Sequence, residues 1–307
     1  MQPLRRDIER AAAGAATPEG VRLLAELLGE DDSGARRTDD ELGSLANRLG
    51  EGADLEAVEA LARYGAGLPD ALVLDAVQSA VLHGVPVASS DAAVKLWRER
   101  SAGSPLGRLP LERLAAEAAL GLPGHGTRGS GVGGRRVQAS SDALGIERIE
   151  PSSTVLPAVA GWIERSNGRF EWVEVQLTRP VESVGARQLI QLGLECLREA
   201  TPERLVPMHE DVAGVFSVLF GAGLGGAYDC TPGLGQVRLA SWTSLARLAG
   251  LDDEATPADI EAGAARHTWS SFAPCSPWFH QVAWDVGLVC LRAGGTHLSV
   301  FAATDTD

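Results

Sequence analysis

Apolar residues recur with a helical period over residues 1–120. One such stripe consists of Val73, Leu74, Val77, Val81 and Leu82. Residues spaced in this way lie on one face of a helix and pack against a neighbouring element. Capping signals separate the stripes: Ser90 precedes a helix expected to run to about Arg100, and Thr17-Pro18 begins another. The pattern predicts consecutive short helices, arranged as a bundle or as a HEAT-like stack.

Strand-like and helical patterns are mixed after residue 145. Residues 170–177 alternate, with Val173 and Val175 on one face and Glu174 on the other, which predicts a half-buried strand. Apolar runs at 282–292 and 297–303 flank Gly294-Gly295 and predict a β-hairpin. Helices are expected over 185–198, 211–220, 240–248 and 257–265. The predicted fold class is therefore α+β, with a helical N-terminal part and a small antiparallel sheet whose helices lie on one side.

A glycine-rich tract separates the two patterns. Seven of the fourteen residues from 121 to 134 are glycine, a composition that buries little apolar surface and is typical of a linker or loop. The sequence therefore predicts a helical domain at 1–120, a linker at 121–144 and an α+β domain at 145–307. Residues 124–129 match G-x-G-x-x-G, but a dinucleotide site needs a strand before this motif and a helix after it. We interpret the match as chance, the alternative being a flexible anion-binding loop.

Charge limits the classes of partner. The 307 residues carry a formal net charge of −14. Neutralising phosphate requires clustered cations, so the sequence predicts no binding to nucleic acid or to an anionic membrane, and it is compatible with a basic protein partner. The longest uncharged run, 212–228, is shorter than the roughly 20 residues of a membrane helix and predicts a buried core helix.

The N-terminus and the cysteines indicate a cytoplasmic protein. Charged residues follow Arg5-Arg6 directly, so no signal peptide is visible. The four cysteines form no C-x-x-C pair, and we expect them to be reduced. Cys196 and Cys290 lie in apolar surroundings and are expected to pack in the core rather than to react.

Three stretches of the C-terminal part resemble the corresponding stretches of a known protein family. They are Gly225-Gly226-Ala227-Tyr228, Leu239-Ala240-Ser241-Trp242, and the ending that closes with Ala302-Ala303-Thr304-Asp305-Thr306-Asp307. Together they resemble an uncharacterised family of actinobacterial, Streptomyces-type proteins of unknown function. The resemblance covers roughly residues 210–307. It implies a bacterial, cytoplasmic protein and carries no activity with it.

Candidate catalytic residues lie after position 205. Asp285 is set in an apolar strand, where a carboxylate is buried or paired and its pKa is perturbed. His280 and His297 are candidate acid/base partners for it. The alternative is structural, with Asp285 accepting hydrogen bonds from a neighbouring loop or an arginine. His209 and Glu210 precede the predicted core helix and suit an acid/base pair or a metal site. The alternative for Glu210 is structural, because acidic side chains at the start of a helix complement its dipole.

Asp305 and Asp307 are the candidate metal ligands. Their carboxylates are hard oxygen donors of the kind that Mg²⁺ and Ca²⁺ prefer. The alternative is a frayed, solvated terminus. The sequence predicts no cofactor, with a divalent metal as the alternative, and it contains no common catalytic signature.

Two functional hypotheses follow. The first is a non-enzymatic, cytoplasmic protein-interaction or regulatory module of the immunity type, because motifs are few and the charge is strongly acidic. The alternative is an enzyme of small-molecule metabolism with an acid/base or metal site in the C-terminal half. The alternative requires Asp285, His209, Glu210 and His280 to converge on one site.

Overall fold

A computed structural model of the chain describes residues 11–14, 16–29, 39–118, 120, 135–138, 143–151, 154–225, 232–272, 276–280 and 284–306. The chain divides into two compact units. The first consists of Met1–His125 and Cys230–Leu239, and the second of Gly126–Asp229 and Ala240–Asp307. The domain boundaries at 1–120, 121–144 and 145–307 stay a prediction, and the glycine-rich tract at 121–134, with its G-x-G-x-x-G match, lies outside the described residues.

The first unit is built from helices. Its α-helices are α1 (Pro18–Gly29), α2 (Asp39–Gly50), α3 (Leu55–Tyr64), α4 (Asp70–Leu82) and α5 (Asp91–Arg100). Short 3₁₀ helices follow at Gly65–Gly67, Val87–Ser89, Pro105–Arg108 and Ala115–Glu117. The predicted caps are present, since Thr17 Oγ1 accepts from the Gly20 amide at 3.2 Å and Ser90 Oγ accepts from the Ala93 amide at 3.3 Å.

Helix α4 differs from the amphipathic helix that its stripe predicts. Every residue from Leu72 to Leu82 is buried, including the polar residues Asp75, Gln78 and Ser79. Buried polar side chains need hydrogen-bond partners, and the stripe alone does not show where these partners come from.

For Asp75 and Gln78 the partners come from a distant stretch of the same unit. Helix α9 (Leu234–Ala249) starts six residues before its predicted start and is shared between the two units, which divide after Leu239. Asp75 Oδ1 accepts from the Gln236 amide at 3.0 Å, and Asn47 Oδ1 accepts from the Leu234 amide at 2.9 Å. These two side chains cap the first turn of α9, which a local capping motif in the sequence does not signal.

The second unit contains the remaining helices. They are α6 (Ala160–Arg165), α7 (Ala186–Gln191), α8 (Val212–Leu224) and α10 (Pro257–Ala264), with 3₁₀ helices at Pro157–Val159 and Glu195–Leu197. The helix predicted over 185–198 stops early, because Gly193 adopts the left-handed conformation (φ 71°). The uncharged run is a helix as predicted, and no helix among the described residues combines the length and apolarity needed to cross a membrane.

The strands of the second unit form one antiparallel sheet. They are β1 (Ile146–Pro151), β2 (Arg169–Leu177), β3 (Pro207–Glu210), β4 (Thr268–Phe272), β5 (Trp284–Leu291) and β6 (His297–Asp305). Their order is β1-β2-β6-β5-β4-β3. The α+β class is thereby confirmed, with the predicted strand at β2.

The predicted hairpin is formed by β5 and β6. Gly294 and Gly295 adopt positive φ values of 93° and 70° at the turn, a conformation that favours glycine. Pairing continues to the far end, where Asp285 opposes Thr304 and Trp284 opposes Asp305. The frayed-terminus alternative is therefore wrong for Asp305, which is a fully buried strand residue.

Both faces of the sheet are covered, so the prediction of helices on one side is wrong. One face packs against α7 and the segment after it, through a cluster that includes Val173, Val175, Val289, Val300, Leu189, Leu192 and Leu197. The other face meets further helices: Trp269 Nε1 donates to the carbonyl of Ala264 in α10 at 2.9 Å. Strand β6 is buried on successive residues, as expected for a strand enclosed on both faces.

Candidate functional site

Asp285 and His280 meet at the end of the hairpin through Thr304. The Thr304 hydroxyl donates to Asp285 Oδ1 at 2.6 Å, and the main-chain N–H of His280 donates to Thr304 Oγ1 at 3.1 Å. Thr304 is fully buried, Asp285 is partly buried, and His280 is exposed. His280 therefore contributes its backbone to this cluster. A buried hydroxyl that is held in this way positions the carboxylate but is out of reach of a substrate.

Arg169 lies beside Thr304 in the neighbouring strand β2, on the same face of the sheet as Asp285. It opposes Thr304 across β2 and β6, as Asp285 does across β5 and β6. Its guanidinium lies 4.8 Å from the centroid of the Trp278 ring and donates to the Trp278 carbonyl. The hairpin end thus presents a cation stacked on an indole and a carboxylate, separated by Thr304.

Sequence reasoning missed Arg169 and Thr304. Counting outward from the Gly294-Gly295 turn pairs Asp285 with Thr304, so the signal for Thr304 was present in the sequence. Arg169 had no such signal, because β2 joins β6 over more than 100 residues of chain.

His209 and Glu210 lie on β3 and point to opposite faces of the sheet, since successive strand residues alternate. The His209 amide donates to the Arg135 carbonyl at 2.8 Å. Glu210 Oε1 accepts from the Ser271 hydroxyl at 2.6 Å. Asp211, and not Glu210, caps α8 by accepting from the Gly214 amide at 2.7 Å. The two residues therefore do not form one acid/base pair.

Burial raises the pKa of the Glu210 carboxyl. The hydrogen bond from Ser271 opposes this pKa shift, and the neighbouring Asp211 carboxylate adds to it. A carboxyl in this environment favours its neutral form more than an exposed one does.

The two pairs of candidates are far apart. His209 opposes Ser270, which opposes Val289, and Val289 is four residues along β5 from Asp285. With a strand rise of about 3.4 Å and a spacing of about 4.8 Å, the backbones of His209 and Asp285 are separated by roughly 14 Å along the strands and roughly 10 Å across them. Asp285 and His280 thus share a cluster that His209 and Glu210 do not join.

Asp305 points to the face opposite Asp285, because it follows Thr304 in β6. Its Oδ1 atom accepts from the Ser166 hydroxyl at 2.6 Å and from the Thr306 amide at 2.8 Å. Its Oδ2 atom is buried without a hydrogen-bond partner. Asp307 lies outside the described residues, and within the described ranges no three His, Cys, Asp or Glu residues are placed to hold a metal ion. Metal binding by Asp305 and Asp307 stays a prediction.

The described cysteines, Cys196 and Cys290, are buried thiols as predicted. Burial raises the pKa of Cys290 to about 12, with a smaller opposing effect of Arg292. A thiol with such a pKa is protonated at neutral pH and is a poor nucleophile. Cys230 and Cys275 lie outside the described residues.

We expect Glu210→Gln to stabilise the protein at pH 7 and to leave it unchanged near pH 4. A carboxyl whose pKa is raised in the folded state favours folding below its unfolded pKa of about 4.3 and loses that contribution as the pH rises. Glutamine stays neutral at both pH values and keeps an oxygen for Ser271. Urea unfolding at the two pH values measures the difference, and Glu199→Gln, at an exposed position of the same unit, is the control. A variant less stable than the wild type at pH 7 would show that ionised Glu210 is favoured by its surroundings.

Comparison with known proteins places the chain in a family without an assigned activity. The model of DUF6183, a family of unknown function, matches residues 1–307. The resemblance predicted for the last hundred residues is thus confirmed as a resemblance to a family of unknown function, and it extends over the whole chain. No curated protein and no solved structure matches the chain.

Proposed function

The chain belongs to the DUF6183 family of unknown function, and we propose that it is a cytoplasmic protein-interaction or regulatory module, of the immunity type, whose partner is a basic protein. We also propose an actinobacterial origin, because Lys95 is its only lysine and a preference for arginine is typical of high-GC genomes.

The acidic charge carries this proposal. The net charge is −14, and each of the two units contains more acidic than basic residues. A charge of one sign over a whole protein attracts partners of the opposite sign and repels nucleic acids and anionic membranes. Electrostatic complementarity of this kind raises the rate of association and selects among partners.

The positions of the candidate residues do not favour the enzyme alternative. Within the described part of the chain, His209 and Glu210 are remote from Asp285 and His280, and the Thr304 hydroxyl beside Asp285 is buried. An acid/base mechanism needs its groups within hydrogen-bond reach of one substrate. The interaction hypothesis needs no such convergence.

Affinity capture from a lysate of a high-GC bacterium, followed by a salt gradient, tests the proposal. We expect a stoichiometric partner whose own sequence is strongly basic and which elutes as the salt concentration rises. An acidic partner, a partner that high salt does not release, or the repeated absence of any stoichiometric protein would contradict the proposal.

Charge-neutralised variants show which unit binds the partner. Glu51→Gln with Glu56→Gln removes two exposed charges from the first unit, and Glu164→Gln with Glu199→Gln does so in the second. We expect one double variant to elute the partner at lower salt while the other behaves as the wild type, since short-range charge pairs depend on position. Each double variant is thus the matched control of the other. If both release the partner at the same salt concentration as the wild type, this result counts against charge-driven binding.

A further inference from the structure

His267 links the start of β4 to the turn of the β5–β6 hairpin in the second unit. It follows α10, and its Nδ1 atom accepts a hydrogen bond from the main-chain N–H of Ala293 at 3.1 Å. Accepting at Nδ1 requires a neutral ring that carries its proton on Nε2. The Nε2 atom is buried and lacks a hydrogen-bond partner, although the backbone of Ala249, at the last residue of α9, is close by.

The surroundings of the ring oppose a positive charge. Burial is the main cause that lowers the pKa of His267. The charged groups that face the ring are Arg266 and Arg292, which lower the pKa further, while the backbones of Ala249 and Arg266 oppose the shift. Arg292 is itself paired with the Glu174 carboxylate.

Two main-chain hydrogen bonds of the turn involve no titrating group, whereas the exposed side chains of Thr296 and His297, whose Oγ1 and Nδ1 atoms are 3.2 Å apart, include one. The Val181 amide donates to the Gly295 carbonyl at 2.9 Å, and the Leu177 amide donates to the Thr296 carbonyl at 2.8 Å. These bonds hold the side of the turn that enters β6. The Ala293 amide, on the side that leaves β5, depends on His267.

We propose that His267 is an acid-sensitive latch, which holds Ala293 while the ring is neutral and releases the first half of the β5–β6 turn when the ring is protonated. Protonation places a donor at Nδ1 against the N–H donor of Ala293, so the hydrogen bond is lost and the two N–H groups repel each other. Arg266 and Arg292 add to the repulsion. The rest of the hairpin stays paired, so the device opens a surface turn without unfolding the sheet.

Amide exchange measured by NMR between pH 7.5 and pH 4.5 tests the latch. After correction for intrinsic exchange, we expect the protection of Ala293 to fall by about fivefold to tenfold as the His267 ring signals titrate, the factor that one hydrogen bond of ordinary strength contributes. Leu177 and Val181 should keep their protection over the same range.

Two variants separate the latch from general effects of acid. His267→Asn keeps an acceptor near the position of Nδ1 and does not titrate, so its Ala293 protection should be independent of pH. His297→Asn, at an exposed histidine beside the same turn, should behave as the wild type. The proposal is overturned if His267 titrates while Ala293 keeps its protection, or if His297→Asn abolishes the response. Should His267→Asn fail to fold, the wild-type titration alone decides.

Discussion

Replacing Glu117 by glutamine is expected to destabilise the first unit by about 3–5 kcal/mol, the usual cost of removing one partner of a buried ion pair. Glu117 and Arg238 have fully buried side chains. Arg238 Nε donates to Glu117 Oε1, and Arg238 Nη2 donates to Glu117 Oε2, each at 2.6 Å. The substitution keeps the volume but leaves the guanidinium without a counter-charge and turns an amide N–H toward it.

The other contacts of Arg238 do not replace the carboxylate. Its guanidinium also donates to the carbonyls of Pro110 and Glu112, each at 2.8 Å, and to the Gln78 side chain. These acceptors satisfy its remaining N–H groups and are neutral, so they do not compensate the charge.

Urea unfolding, with hydrogen exchange of α4 to identify the unit that opens, measures the effect. Glu99→Gln is the matched control: it is the same substitution in the same unit, in an exposed pair with Lys95 at 3.8 Å, where a loss below about 1 kcal/mol is expected. Equal stabilities of the two variants would mean that the buried pair contributes no more than a surface pair.

Trp162→Ala is expected to destabilise the second unit by about 3–5 kcal/mol, the range for deleting a large buried aromatic side chain. Trp162 is 1% exposed. Its Nε1 atom donates to the carbonyls of Ala222 and Gly225, at 3.0 and 2.7 Å, and so connects α6 to the end of α8. The alanine variant loses both the packing and these hydrogen bonds.

Trp162→Phe separates the two contributions. Phenylalanine keeps most of the buried apolar surface and removes the N–H donor, so we expect a loss of about 1–3 kcal/mol, the cost of leaving buried acceptors without a donor. Urea unfolding followed by circular dichroism compares the three proteins. A loss below about 1 kcal/mol for the alanine variant would show that the cavity collapses around the site.

Local patterns were sufficient to predict the parts of the fold that depend on neighbouring residues. Strand β2, helix α8 and the β5–β6 hairpin follow from alternation, from an uncharged run and from Gly294-Gly295. Ser90 and Thr17 act as caps because capping requires only the next few residues. The α+β class follows from these elements alone.

Contacts between distant segments could not be predicted in this way. The caps of α9 are Asn47 and Asp75, more than 150 residues earlier in the chain. Helix α4 offers apolar and polar residues alike for burial, and partners that are distant in sequence explain why Asp75 and Gln78 are tolerated: the Gln236 amide donates to Asp75, and Arg238 donates to Gln78. The second covered face of the sheet, by contrast, did carry a local signal, because an apolar run such as β6 is typical of a strand that is buried on both faces.

The candidate site shows the same division. Asp285 was recognised from its apolar surroundings, and Thr304 could have been found by counting from the turn. Arg169 required knowledge that β2 joins β6, and His267 carried no signal, because its contact with Ala293 depends on the pairing of β4 with β5.

The central claim is that charge drives the association with a basic protein. Calorimetric titration of the purified chain with the captured partner, at 0.1 M and at 1 M NaCl, tests it most directly, since the screening length falls from about 10 Å to about 3 Å over this range. We predict that the affinity falls by more than about tenfold at the higher salt concentration. An affinity that is the same at both concentrations would contradict the claim.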